Sequence, residues 1–172
     1  NRQHYTYIPA KIVNSSTDRR SNYLTINRGI LHGVQPEMAV LSSNGIVGIV
    51  KDVSKDYATV ISVLHKSSSI SAKLVESGYI GSLVWDGKDP RVTQLMDIPN
   101  HVELKEGMLI QTSGYSALFP TGIDIGTVRS SEIKPGDNFH SISVDMLTDF
   151  NSVSMVYVVN NLKRMEQVEL EY

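Results

Sequence analysis

Hydrophobicity in this chain repeats every second residue, and that period constrains the fold more than any other feature. Tyr23-Leu24-Thr25-Ile26-Asn27 alternates, and so does His140-Ser141-Ile142-Ser143-Val144-Asp145-Met146. Such alternation puts one set of side chains on a buried face and the other in solvent, the pattern of a half-buried β-strand. β-Branched and aromatic residues fill these segments, and Gly, Pro, Asn, Asp and Ser gather between them. The spacing predicts about twelve strands. They lie near Ile8–Val13, Tyr23–Asn27, Ala39–Ser42, Ile46–Val53, Tyr57–Leu64, Ile70–Glu76, Tyr79–Trp85, Val92–Ile98, Met108–Thr112, Ile123–Arg129, Phe139–Met146 and Val153–Val159.

The punctuation between strands has its own chemistry. Asn44-Gly45 sits between two apolar runs, where both residues can take positive φ and close a tight hairpin. Ser77-Gly78 and Asp86-Gly87 are weaker signals of the same kind, and Pro135-Gly136-Asp137-Asn138 marks a longer loop. Helical spacing is confined to Leu162, Met165 and Val168, inside a polar tail that reads as a frayed end or as a partner-binding helix.

A weak internal repeat divides the strands. Met38-Ala39-Val40-Leu41-Ser42 leads into Gly45-Ile46-Val47-Gly48-Ile49-Val50. Met108-Leu109-Ile110-Gln111-Thr112 leads into Gly122-Ile123-Asp124-Ile125-Gly126-Thr127-Val128. Each copy has an apolar strand, a turn, then a Gly-Ile strand with an internal glycine of the sort that lets a small barrel bend. The expectation is an all-β protein of two six-stranded β-barrels side by side, with little helix. Residues 1–69 form the first barrel, 70–160 the second and 161–172 the tail, and strands are free to cross at the boundary.

Composition narrows the chemistry. With 172 residues, 41% apolar and 20% charged, the chain is long and apolar enough to bury a core without staples. It has no cysteine, which removes disulfides, thiolate metal ligands and a thiol nucleophile. A net charge of −2 with scattered basic residues gives no reason to expect nucleic acid. No apolar run approaches the ~20 residues that span a bilayer. The chain starts at Asn1 and reads as a trimmed fragment, so a missing anchor does not argue for a cytosolic protein.

The search for a reactive centre yields little. Ser113-Gly114-Tyr115-Ser116-Ala117-Leu118 is the best serine-nucleophile candidate, but Leu118 stands where a nucleophile elbow requires Gly. Such serines also satisfy their own turns. His65 is the histidine to test against Ser113 and Ser116. His4, His32, His65, His101 and His140 show no metal-ligand spacing. Asp145 with Asp149, and Asp86 with Asp89, fall beside turns, where Asp caps backbone. No cofactor is expected. The loop from Gly114 to Gly122 concentrates Tyr115, Leu118, Phe119 and Pro120 between two glycines. Its apolar side chains either plug one end of a barrel or mark an interface. In the interface reading these four are the first anchors, with Tyr79 and Trp85 second, because aromatic anchors dominate interface energy. Asn44, Gly45, Gly114 and Gly122 are read as turn residues.

Taken in order, the motifs resemble a known family. Ile26-Asn27-Arg28-Gly29 with Gly33-Val34 is similar to its alternating strand followed by "Gly, short spacer, Asp-Gly-Val", with His32 in place of Asp. Asn44-Gly45-Ile46-Val47-Gly48 resembles its "Asp-Gly-Leu-Val-Gly" hairpin. Thr112-Ser113-Gly114, Phe119-Pro120-Thr121-Gly122 and Gly126-Thr127-Val128 resemble "Thr-Ser-Gly … Phe-Pro-Lys-Gly … Gly-Val-Val", with Thr121 for Lys. Leu83-Val84-Trp85-Asp86-Gly87 and Val156-Tyr157-Val158-Val159 also fit. The family is the rod shape-determining protein MreC. The resemblance implies two six-stranded barrels in a distantly chymotrypsin-like arrangement without its triad. It further implies a membrane anchor and coiled coil upstream, and a periplasmic or extracytoplasmic location. The implied role is a non-catalytic scaffold of the elongation machinery that shapes rod cells. Such a scaffold forms a homo-oligomer and binds the elongation-specific penicillin-binding transpeptidase and the MreD and MreB morphogenesis proteins. Two other classes stay open on the residues: a trypsin-like serine peptidase, active or degenerate, which needs Ser, His and Asp assembled in space, and a ligand-binding barrel with an enclosed pocket.

Overall fold

Alternating side chains settle into twelve strands in the computed structural model of the chain, which describes residues 4–115, 118–162 and 169–170. They are β1 (Tyr5–Ser15), β2 (Ser21–Ile26), β3 (Ala39–Leu41), β4 (Ile46–Val53), β5 (Ala58–His65), β6 (Ile70–Leu74), β7 (Ile80–Val84), β8 (Val92–Met96), β9 (Leu109–Thr112), β10 (Asp124–Glu132), β11 (Ser141–Met146) and β12 (Met155–Asn161). A 3-10 turn at Ile30–His32 follows β2. Met165 and Val168, which carry the helical spacing of the tail, lie outside the described residues, as does Ser116.

The strands close two antiparallel barrels, ordered β1-β12-β3-β4-β5-β2 and β10-β11-β8-β7-β6-β9. The expected fold is therefore present, with one correction to its boundaries. β12 belongs to the first barrel, where Tyr157 pairs with Pro9 of β1 and Leu41 of β3. The second barrel consists of β6–β11 and does not run to residue 160. The reason is closure: without β12, β1 and β3 would each present an unpaired edge. Inward residues such as Ile26, Val40 and Val158 in one barrel and Leu83, Leu95 and Val144 in the other are solvent-free. Burying each large aliphatic side chain stabilises the fold by roughly 1.5–3 kcal/mol.

The internal repeat is structural. Val40 pairs with Gly48 in the first barrel, and Ile110 with Gly126 in the second. A Cβ on Gly48 would fall on the carbonyl oxygen of Ile61 in β5, and one on Gly126 would fall on that of Asp145 in β11. Three residues after each glycine the strand bulges, at Lys51 and at Arg129. The copies differ in the loop before the glycine strand. Residues 42–45 join β3 to β4, whereas the longer 113–123 joins β9 to β10.

The barrels meet where that short loop touches the second barrel. Thr148, which is buried, donates to the Ile46 carbonyl at 2.8 Å. Gly45 sits in the same seam, where an added Cβ would lie 2.6 Å from the Asp124 carbonyl oxygen and 3.2 Å from Thr148 Oγ1. This corrects the hairpin expectation, because neither Asn44 nor Gly45 is among the residues with positive φ. The turn is held by Ser42: its Oγ accepts the N–H groups of Asn44 and Gly45, at 3.2 Å each. Gly45 is required for close approach, not for left-handed backbone. Gly45→Ala should therefore cost about 1–3 kcal/mol by overpacking the seam. Asn44→Ala should stay within about 0.5 kcal/mol, since Asn44 is exposed. Denaturant midpoints of the two variants check this, and equal losses would restore the hairpin reading.

Candidate partner-binding surface

The 113–123 loop is organised by Thr112. Its Oγ1 donates to the Pro120 carbonyl at 2.6 Å and accepts the Ile123 N–H at 2.9 Å. Gly114 and Gly122 flank it with φ of 76° and 82°, and a Cβ on Gly114 would strike Thr121. Between them the loop splits into an inner and an outer part. Phe119 is 5% exposed and belongs to the core, and Pro120 is buried beside it. Tyr115 is 78% exposed. Leu118 is half-buried against the core and also borders a small cleft with Met38 and Val159 of the first barrel.

Three of the expected anchors, Phe119, Trp85 and Pro120, are thus misplaced by the surface reading. Phe119 plugs the structure from inside, the other outcome weighed for this loop, because the Thr112 and Pro120 bonds turn it inward. Trp85 is also buried, and its Nε1–H donates to the Asp89 carbonyl at 2.9 Å, pinning the β7–β8 turn. Pro120 is likewise covered. Tyr79 remains on the surface at 40% exposure, with its hydroxyl 3.1 Å from His101 Nε2.

Tyr115 and Leu118 instead border an open hollow of about 470 Å³ with Ile80, Ser71, Ser82 and Asp97. Ile80 was not singled out among the sequence candidates, although it is 47% exposed on β7. Its position in an alternating strand is the signal: Gly81 and Leu83 face inward, so Ile80 faces out. An exposed aliphatic beside an exposed tyrosine is the composition of a contact surface.

Ser113 and His65, the described pair weighed for catalysis, each bond to other groups. Ser113 Oγ lies 2.7 Å from Ser71 Oγ and accepts the Tyr115 N–H at 3.1 Å. His65 lies elsewhere in its bonding. Its Nδ1 accepts the Ser67 N–H at 3.0 Å, so Nε2 carries the proton toward Tyr23 Oη, 3.1 Å away. Ser113 thus bonds to Ser71 and Tyr115, and His65 to Ser67 and Tyr23. Asp86 and Asp149 cap their own turns, accepting the N–H groups of Lys88 and Asn151. Asp89 is held below the usual carboxylate range by its hydrogen bonds to Arg91, and Asp145 pairs with Arg129 at 3.2 Å. Three metal-ligating side chains do not converge anywhere among the described residues.

Two closed barrels, their seam and a hollow flanked by Tyr115 and Ile80 define a twin-barrel all-β protein with exposed apolar groups on the outside of the second barrel. The family description "Rod shape-determining protein MreC, barrel core" matches residues 12–160. The cell shape-determining protein MreC of Listeria monocytogenes is 26% identical over 153 residues, which cover 81% of this chain and 52% of that protein. Its Bacillus subtilis counterpart is 27% identical over 168 residues, covering 88% and 57%. The chain spans about half the length of these curated relatives. MreC from Pseudomonas aeruginosa shares the fold with a TM-score of 0.82 at 23% identity, over 89% of this chain and 99% of that one. MreC from Helicobacter pylori, solved in complex with the penicillin-binding protein PBP2, does so with a TM-score of 0.73 at 18% identity, over 91% and 98%. The chain belongs to the rod shape-determining protein MreC family.

Two expectations follow from this geometry. Phe119→Ala should cost about 3–5 kcal/mol of stability, as truncation of a buried phenylalanine does, while Tyr115→Ala should move the unfolding midpoint by no more than about 0.5 kcal/mol. Similar effects in denaturant unfolding would refute the inner and outer division of the loop. His65 supplies a pH dependence. Burial first, then Lys66 and Lys51, lower its pKa from about 6.5. A depressed imidazole pKa means that the unfolded chain binds the proton more readily, so the His65 contribution is complete above about pH 6.5 and is lost as pH falls toward the folded pKa. Unfolding midpoints at pH 7.5 and 5.0 should converge in His65→Gln relative to the parent chain. An unchanged pH slope would remove His65 as the source.

Proposed function

We propose that this chain is the barrel region of a non-catalytic scaffold of the cell-wall elongation machinery, working outside the cytoplasmic membrane. In this reading it maintains rod shape by self-association and by binding a penicillin-binding transpeptidase, together with the MreD and MreB morphogenesis proteins. A membrane anchor elsewhere in the full-length protein holds it in place. The observation that carries the reading is the family match across both barrels, residues 12–160. The solved complex of PBP2 with MreC from Helicobacter pylori, whose barrels share this fold, supports the transpeptidase as a partner. The hollow beside Tyr115, Leu118 and Ile80 supports contact through the outside of the second barrel.

The surface suits that task. Tyr115 offers a large, amphipathic ring with few rotors to freeze, which makes tyrosine effective at interfaces. Ile80 and Leu118 add apolar area around it, and Ser71, Ser82 and Asp97 supply a polar border. The test is capture of the extracytoplasmic part of the elongation-specific transpeptidase on the immobilised chain. Tyr115→Ala with Ile80→Ser should weaken capture about tenfold or more, the effect of losing about 1.4 kcal/mol, with the unfolding midpoint retained. No capture by the unaltered chain would sink the transpeptidase reading. Peptide-bond cleavage that vanishes in Ser113→Ala would replace it with the peptidase.

A further inference from the structure

The outer face of β8, β11 and β10 carries a second concavity, of about 360 Å³. Its form follows from the strand register. Ser143 of β11 is flanked by Gln94 of β8 and Ser130 of β10. One pleat further, Ser141 is flanked by Glu132, and the same register sets Met96 on its other side. Short hydroxymethyl groups on the middle strand thus form a floor, and longer side chains on both neighbours form walls. The bulge at Arg129 turns the end of β10 so that both Ser130 and Ser131 line the trough.

The lining selects a ligand chemistry. Hydroxyls that both donate and accept, a carboxamide and a single carboxylate suit a partner rich in hydroxyl groups. No Lys, Arg or His lines the trough, and the nearby Arg129 is paired with Asp145, so a phosphate or other anion has no cation to meet. Gln94 adds the specific element. Its Oε1 is out of contact with solvent and has no hydrogen-bond partner, a state that gains from any donor within reach. The terminal torsion of Gln is broad, and a turn about it would exchange the amide nitrogen for that oxygen at the trough. Beside it, the Met96 thioether is a soft apolar surface 44% exposed. An acceptor next to an apolar contact is the complement of an acetamido group, whose N–H and methyl point in different directions.

We infer that this trough binds an uncharged sugar chain bearing N-acetyl groups. Gln94 accepts the acetamido N–H, Met96 packs the acetyl methyl, and Ser141, Ser143 and Ser130 hold ring hydroxyls. Only the source of the sugar, the glycan strand of the wall, rests on the scaffold reading above; the chemistry is that of the trough. The test titrates the full chain with the N-acetylglucosamine tetramer, followed by calorimetry and by backbone amide shifts, with the maltose-type glucose tetramer as comparator. Binding is expected with shifts confined to β8, β10 and β11. Gln94→Leu should weaken it about fivefold or more, the loss of one neutral hydrogen bond, and Ser143→Trp, which fills the floor, should abolish it. The glucose tetramer should bind at least about fivefold more weakly, for the same missing bond. No binding of the N-acetylated tetramer, equal binding of both sugars, or binding untouched by both variants overturns the inference. Preference for an extended peptide over either sugar overturns it as well. Transpeptidase capture by Ser143→Trp, measured in parallel, separates failure of this site from failure of the scaffold reading.

Discussion

The return of β12 to the first barrel is the constraint on which the rest depends. β1 and β3 are separated by one strand position that the first five strands leave open, and Met155–Asn161 fills it. The second barrel is therefore an insertion between β5 and β12. Its folding brings the end of the chain back to the beginning, and the first barrel has no closed form until it does. Long-range closure of this sort is slow in folding but leaves no exposed edge in the product. The Thr148–Ile46 bond and the Gly45–Asp124 approach stand at the point where the chain leaves the second barrel for β12. They align the returning strand as well as the two bodies.

Within that frame each barrel solves the same bending problem in the same way. Gly48 and Gly126 let a neighbouring carbonyl approach where any side chain would collide, and the bulges at Lys51 and Arg129 then increase the local twist. Six-stranded barrels are narrow, and two such devices in succession let the strand turn a corner without losing its ladder. The copies diverge where closure does not depend on the residues. The short 42–45 loop faces the seam and is held tight, while the 113–123 loop is longer and supplies both a core plug and an exposed tyrosine.

Strand identity and count were legible because alternation is local, and so was the duplication, whose glycines recur in equivalent strands. The membership of β12 was not legible, since the alternation of Val156-Tyr157-Val158 says which residues face in but not which barrel they face. Asn44-Gly45 misled for a related reason: the dipeptide is a strong local turn signal, yet the glycine is demanded by a carbonyl from the other barrel. Phe119 stayed open between plug and anchor because an aromatic in a loop has no periodic neighbours to orient it, whereas Trp85 was read as an anchor although it continues the inward line of Gly81 and Leu83. Thr112, whose hydroxyl makes both organising bonds, looked like an ordinary strand residue. The polar half of the His140–Met146 alternation was visible from the start. Its consequence as the floor of a trough needed the register of β8 and β10.

The two concavities of the second barrel share a wall. Met96 borders the sugar trough, and its pairing with Ser82 places it beside the hollow that Ile80, Tyr115 and Leu118 border. Close-packed interiors are not continuously deformable, so the direct route between the two concavities is contact across Met96 and Ser82. A protein seated on the hollow and a chain lying in the trough would touch each other over this wall, and the barrel would act by fixing their relative position. Under the proposed scaffold role, the exposed side chains along β7, β8 and β11 would be the contact surface that the closed barrel holds in place.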